Sequence, residues 1–79
     1  MIATTSRHTV AGLQFEGEEM LITIDGQKLR FPLSHISQRL VKATPSERQR
    51  FEISPSGYGI HWPEVDEDLS VEGLLRASE

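Results

Sequence analysis

Three apolar runs near the start of the chain predict an antiparallel β-meander with one apolar face. The first run is 10-VAGLQF-15, the second is 20-MLITI-24, and the third is 28-KLRFPL-33. Within them apolar residues recur at every second position, which is the period of a half-buried strand. The second connection contains Asp25 and Gly26, and both residues tolerate the positive φ angles of a type I′ turn. We therefore expect two consecutive hairpins.

The middle and the end of the chain predict short helices. Ser34 is expected to cap a helix over residues 35–41, where apolar side chains form a helical stripe. The segment 44-TPSE-47 places Thr at the N-cap, Pro at the first helical position and Glu at the third, which predicts a capping box. Ser70 is expected to cap a C-terminal helix in which the apolar residues of 71–75 share one side.

A further hairpin is predicted between these helices. Residues 51–53 and 58–62 alternate apolar and polar side chains, and the residues between them have the composition of a turn. Gly57 and Gly59 are expected to supply positive φ angles and a close approach to the ring of Trp62. Trp62 is expected to lie across the core, where removal of its ring would cost about 3–5 kcal/mol.

These elements predict a single α+β domain: an antiparallel β-meander of about four to five strands with two or three short helices packed on one face. The 79 residues are too few for a second folding unit, and such a domain buries only about 60–65% of its unfolded surface. The predicted order is a segment that frays (1–9), the meander (10–33), short helices (34–50), a hairpin (51–62), and a turn with the C-terminal helix (63–79).

Composition narrows the functional classes. Hydrophobic residues make up 37% of the chain and charged residues 25%, which is the balance of a folded protein with a lean core. The chain contains no cysteine, which excludes disulfides, a thiolate nucleophile and cysteine-ligated zinc. The first residues lack the apolar core of a signal peptide, and no apolar run approaches the ~20 residues of a membrane span. A cytoplasmic location is therefore expected.

The net charge of −4 is unevenly distributed along the chain. Residues 27–50 contain six bases and one acid, whereas residues 61–79 contain six acids and one base. The two blocks can face each other within one molecule or across a dimer, or the basic block can form a surface for nucleic acid. The candidate basic surface consists of Arg39, Lys42, Arg48 and Arg50.

The acidic segment contains atoms suited to metal or acid–base chemistry, and the candidates are His61, Glu64, Asp66 and Asp68. Their spacing matches neither a helical zinc motif nor a calcium loop. His61 with Asp66 resembles a base and its orienting acid, but no catalytic motif surrounds the pair. Asp66 and Asp68 are instead expected to favour the N-terminus of the helix after Ser70 and to close local turns. We therefore expect no metal, no cofactor and no enzymatic activity.

The segment 59-GIHWPEVDEDLSVEGLL-75 is similar to the signature of a subgroup of domain-of-unknown-function family 2442. The resemblance extends over about residues 13–75 and includes the order of meander, Thr-Pro turn and Gly-x-Gly hairpin. It implies a small bacterial α+β protein without an established activity. Members resemble companions of a second small protein in pairs similar to toxin–antitoxin modules. The family-signature and candidate interaction residues are Tyr58, His61, Trp62, Pro63, Glu64, Asp66 and Asp68.

From these observations we expect an uncharacterised, non-enzymatic protein-interaction module, namely the antitoxin-like subunit of a paired small-protein system. Its partner is expected to be another protein or a second copy in a homodimer, because thin cores are commonly supplemented by association. The alternative is a nucleic-acid-binding accessory that uses Arg39 to Arg50. A metal-dependent enzyme is the remaining hypothesis. Neither a membrane nor a small-molecule substrate is expected.

Overall fold

The computed structural model describes residues 8–78, which form six strands and four short helices. The elements in chain order are β1 (Val10–Glu16), β2 (Glu19–Ile24), β3 (Gln27–Pro32), α1 (Leu33–Ile36), α2 (Gln38–Lys42), α3 (Pro45–Arg48), β4 (Glu52–Ile53), β5 (Gly59–Trp62), β6 (Glu67–Ser70) and α4 (Val71–Ala77). The predicted α+β class with antiparallel strands and short helices is confirmed. The strands are divided into two sheets, β1-β2-β3 and β4-β5-β6. No helix among residues 8–78 has the length and apolar character that crossing a membrane requires.

The first sheet is the predicted meander. Alternate residues of the central strand β2 are fully or almost fully buried: Met20, Ile22 and Ile24. The turn between β2 and β3 has a φ angle of 51° at Asp25 and of 84° at Gly26. Both angles are positive, as a type I′ turn requires, so this hairpin prediction is confirmed.

The second sheet contains a strand that the sequence pattern does not indicate. Residues 63–79 were expected to form a turn and a helix, but β6 pairs with β5 before α4 begins. The register places Trp62 opposite Glu67 and Ile60 opposite Leu69. Because β6 contains a single apolar residue among polar ones, its sequence shows no alternation, and its pairing depends on β5.

Two of the three predicted helix caps are present. The Thr44 hydroxyl accepts from the N–H of Glu47 at 3.1 Å, and the Glu47 carboxylate accepts from the N–H of Thr44 at 2.9 Å, which confirms the capping box. The Ser70 hydroxyl accepts from the third helical residue at 2.8 Å, which confirms the second cap. The prediction for Ser34 is wrong, because the segment splits at Ser37. That residue caps α2, while α1 follows Pro32 without a side-chain cap.

Trp62 lies in the core between the two sheets and is completely buried. Its ring is in edge contact with Phe15 of β1, with 6.5 Å between ring centroids, and in tilted contact with Phe51, with 6.1 Å between centroids. The indole N–H donates to the backbone carbonyl oxygen of Arg48 at 3.1 Å. The expected position of Trp62 across the core is confirmed, and the residue connects both sheets to α3.

Arg48 is buried, which corrects its assignment to an exposed basic surface. Only 9% of its side chain is exposed. Its Nε donates to the Leu40 carbonyl at 2.9 Å, its Nη1 to the Gly17 carbonyl at 3.1 Å, and its Nη2 to the Val41 carbonyl at 3.1 Å and the Glu18 carboxylate at 3.3 Å. The guanidinium therefore satisfies backbone acceptors of the β1–β2 turn and of α2 together. A fork of donors in one plane suits this arrangement, and an ammonium group cannot reproduce it.

We predict that Arg48→Met destabilises the protein by about 2–4 kcal/mol. The substitution keeps an apolar stem of similar length but removes the four hydrogen bonds of the guanidinium, and each such bond contributes about 0.5–1.5 kcal/mol. The free energy of unfolding in urea measures the loss.

The control for this substitution is Arg50→Met, two residues along. Arg50 and Glu64 form an exposed ion pair at 2.7 Å, with 63% and 39% of the respective side chains exposed. Such a pair contributes at most about 1 kcal/mol. Equal losses in the two variants would contradict the structural role given to Arg48.

Candidate interaction groove

A shallow groove with a volume of about 530 Å³ lies on the second sheet. Strands β4, β5 and β6 and the loop before β5 line it. Ile60 and Trp62 of β5 face the core. Since side chains alternate along a strand, Gly59 and His61 belong to the opposite, outer face of the sheet. Both of them line the groove.

The floor of the groove is open at Gly59. A Cβ atom built at this position would meet only the Leu69 carbonyl oxygen within 4 Å, at an ordinary contact distance of 3.7 Å. Among the described glycines, positive φ angles occur at Gly17, Gly26 and Gly57. The prediction of a positive φ at Gly59 is therefore wrong. The prediction that Gly59 closely approaches the Trp62 ring is wrong as well. The absence of a side chain here creates space in the groove.

A row of three polar side chains crosses the outer face. Glu52 of β4 lies opposite His61, and His61 lies opposite Asp68 of β6. The His61 Nδ1 atom is 2.8 Å from an Asp68 carboxylate oxygen, with 40% and 74% of the two side chains exposed. The partner of His61 is thus Asp68 and not Asp66, because Asp66 lies in the β5–β6 turn with a φ of 55°.

The carboxylates of the signature have separate neighbours. Asp68 lies in β6 beside His61. The acid in the first turn of α4 is Glu72, so the expectation that Asp68 stabilises the N-terminus of this helix is wrong. Glu64 contacts Arg50. Within the part of the chain that the structure describes, no three His, Asp or Glu side chains converge as a metal site requires. The signature therefore does not form one ligand cluster.

The basic and acidic blocks contact each other within the molecule. Arg39 donates to the carbonyl oxygen of Asp66 and has its Nη1 3.9 Å from the Asp66 carboxylate. The Arg50 and Glu64 pair is a second contact between the blocks. Because Arg48 is buried and two other arginines face acids, the candidate basic residues do not form a continuous cationic surface. Lys42 is exposed at the end of α2.

The rim of the groove is apolar. Tyr58 is 61% exposed and Ile53 is 37% exposed, and they are the exposed large hydrophobic residues of the described chain. The sequence singled out Tyr58 through the family signature and Gly59 for its backbone conformation, but it did not single out Glu52 or Ile53. Their relation to His61 depends on strand pairing, for which the two-residue strand β4 gives little local signal.

The loop that carries Tyr58 is fixed by the backbone of His8. The His8 N–H donates to the Ser56 carbonyl at 3.3 Å. Gly57 has a φ of 72°, and a Cβ atom there would lie 1.8 Å from the His8 carbonyl oxygen. The predicted positive φ of Gly57 is confirmed. The predicted close approach to Trp62 is wrong, because the neighbour is the His8 backbone.

The side chain of His8 lies between two acids, and we call His8, Asp25 and Glu72 the His8 clasp. His8 Nδ1 is 2.7 Å from Asp25 Oδ2, and its Nε2 is 3.7 Å from Glu72 Oε2. The Thr9 N–H donates to Asp25 Oδ1 at 2.8 Å. The hydrogen bond with Asp25 raises the pKa of His8, and the same bond lowers the pKa of Asp25. His8 and Thr9 are thus anchored, and residues 1–7 of the segment expected to fray lie outside the described residues.

Comparisons with known proteins agree with this fold. The model of the family described as "Protein of unknown function (DUF2442)" matches residues 10–79. A solved structure of a protein of unknown function from Rhodospirillum rubrum ATCC 11170 is 27% identical and superposes with a TM-score of 0.72. That alignment covers 91% of this chain and 89% of the other. No curated protein matches the chain.

We predict that the His8 clasp makes stability depend on pH. The pKa of His8 is raised above 6.5 in the folded state. The contribution of His8 to the free energy of unfolding is therefore present below pH 6.5 and is lost as the pH rises through the raised pKa. The pKa of Asp25 is lowered below 3.8 in the folded state. The contribution of Asp25 to the free energy of unfolding is therefore present above pH 3.8 and is lost as the pH falls through the lowered pKa. The clasp therefore contributes fully between about pH 3.8 and pH 6.5.

Urea unfolding of the wild type and of His8→Gln between about pH 5 and pH 9 tests this dependence. The difference in stability should be constant at the acidic end and should shrink above pH 6.5. His35→Gln, at an exposed histidine outside the clasp, is the matched control. A difference between wild type and His8→Gln that stays the same across the range would contradict the clasp.

Proposed function

The chain belongs to the DUF2442 family, whose description states no function. We propose that it is a protein-interaction module, and the basis of this proposal is the groove on the second sheet. The observation that supports this role best is that Tyr58 and Ile53 both border the groove. Exposed apolar side chains beside an open concave surface are typical of binding sites for other proteins. The open floor at Gly59 provides room for a bound segment.

The edge of the second sheet supports binding of an extended segment. The Ser54 N–H donates to the Gly59 carbonyl at 3.0 Å, which makes these residues a hydrogen-bonded pair next to Ile53 and Ile60. Hydrogen-bonded and non-hydrogen-bonded pairs alternate along an antiparallel ladder, so the N–H and C=O of Ile53 point away from β5. An extended chain can pair with such free groups by strand addition.

The polar groups of the groove support binding more than catalysis. The Ser54 hydroxyl accepts from the N–H groups of Tyr58 and Gly59, each at 3.1 Å, and the Ser70 hydroxyl accepts from the N–H of Gly73. Both serines of the groove therefore serve the local backbone. A pair such as His61 and Asp68 activates a nucleophile only when one lies within hydrogen-bond reach. No hydrogen bond between His61 and either hydroxyl occurs in the described structure.

We further propose that the partner is a second small protein and that this chain is the antitoxin-like subunit of the pair. Its support is the resemblance of family members to such companions. The contacts of Arg39 and Arg50 with acids, together with the burial of Arg48, favour a protein partner over a nucleic acid. Phosphate binding needs unpaired cations on one face.

Co-purification from the native host, with a groove-filling variant, tests this function. The variant is Gly59→Val, which places a side chain on the groove floor where a Cβ meets only an ordinary contact. The matched control is Gly12→Val in β1, where a Cβ meets no atom within 4 Å. Both glycines lie in strands, and neither has a positive φ. Both variants should therefore unfold in urea near the wild-type midpoint.

We expect the wild type and Gly12→Val to recover the same protein in a stoichiometric amount, and Gly59→Val to recover at least tenfold less. The recovered protein, purified separately, should bind again to the wild type. Two results would contradict the proposal: the absence of a stoichiometric partner, or equal recovery with Gly59→Val.

A further inference from the structure

The charge of the groove indicates what kind of segment it accepts. We infer that the partner presents an extended segment that places a Lys or Arg side chain beside Glu52 and an apolar side chain beside Ile53. This inference rests on the proposed function, since it specifies the occupant of the same groove. The observations behind it are the acids of the outer face, the free edge of β4 and the two apolar rim residues.

The described residues that line the groove carry two carboxylates and no Lys or Arg. The carboxylates are Glu52 and Asp68, and they flank His61 on its two sides. The arginines that face acids elsewhere do not neutralise this row, because Arg50 contacts Glu64 and Arg39 contacts Asp66. A cation above the row would therefore meet two carboxylates, whereas a phosphate or an acidic segment would be repelled.

The register of the edge strand determines the order of the partner's side chains. A strand added to the free edge of β4 has side chains about 4.5–5.5 Å from those of the residues directly opposite. The partner residue opposite Glu52 would extend the row formed by Glu52, His61 and Asp68. Its neighbour opposite Ile53 points to the other face of the sheet. Basic and apolar residues should therefore alternate in the bound segment.

Tyr58 and Pro55 border the end of the groove beyond Ile53. The phenol ring has an exposed apolar face on which the stem of a Lys or Arg side chain can lie, with its cationic head towards the acids. The groove thus offers apolar contact and negative charge side by side. This combination favours a basic amphipathic strand over a purely apolar one. A purely apolar strand would remove water from the carboxylates without giving them a cationic partner, and this desolvation is unfavourable.

Titration of the 15N-labelled protein with synthetic peptides tests the inference. The probe is a seven-residue peptide of alternating Val and Lys with Ser at both ends, and the matched peptide has Glu in place of Lys. The Lys peptide should shift the amide signals of Ile53, Gly59 and Asp68 in a saturable manner. Raising the salt from about 0.05 M to about 0.5 M should weaken its binding. The Glu peptide should leave these signals unchanged.

Variants of the groove identify the charges involved. Glu52→Gln and Asp68→Asn should each weaken binding of the Lys peptide about two- to fivefold, which is the range for one exposed charge contact. Gly59→Val should abolish binding, and Gly12→Val should bind as the wild type does. The amide spectrum of each variant shows whether its fold is intact.

Three results would overturn the inference: no binding of the Lys peptide, equal binding of the Lys and Glu peptides, or shifts confined to the first sheet. Concentration-dependent shifts of the groove amides without peptide would show that a second copy of the chain occupies the groove. Failure of the Lys peptide while Gly59→Val still loses the host partner would refute the basic segment and leave the proposed function standing. Binding of the Lys peptide without any host partner would refute the proposed function and retain the charge preference.

Discussion

The hydrogen bond from the Trp62 indole to the Arg48 backbone carbonyl is the contact on which the arrangement of this small fold depends. It joins the central strand of the second sheet to α3, and the Arg48 guanidinium in turn binds carbonyl groups of α2 and of the β1–β2 turn. Phe15 and Phe51 pack on the same indole. A domain of this size has roughly 5–15 kcal/mol of stability, so a ring worth about 3–5 kcal/mol is a large part of it.

This constraint also determines which residues the groove can use. Because Ile60 and Trp62 face the core, Gly59 and His61 must lie on the outer face of the same strand. The family signature is therefore divided by the sheet: Trp62 stabilises the fold, whereas His61 and Asp68 form part of an exposed row. Adjacent residues of one motif serve different purposes here. A variant at an outer position can change binding while the core remains packed.

The sequence predicts those features whose cause is local. The capping box at Thr44 and the positive φ angles at Asp25 follow from neighbouring residue types, and the structure confirms both. Arg48 and Arg50 are alike in chemistry and only two residues apart, so the sequence cannot show that one is buried and the other exposed. Strand β6 has one apolar residue and pairs only because β5 is beside it. The groove depends on such pairing, and for this reason the sequence indicated His61 and Asp68 without indicating that they are partners.

Hydrogen exchange of the Trp62 indole N–H measures most directly whether the two sheets are held together at this contact. If the bond to Arg48 breaks only when the whole domain unfolds, the free energy of exchange should equal the free energy of unfolding obtained from urea titration. It should also fall in parallel with that value as urea is added. Exchange through a local opening, with a free energy well below the global value and independent of urea, would contradict the central role of this contact.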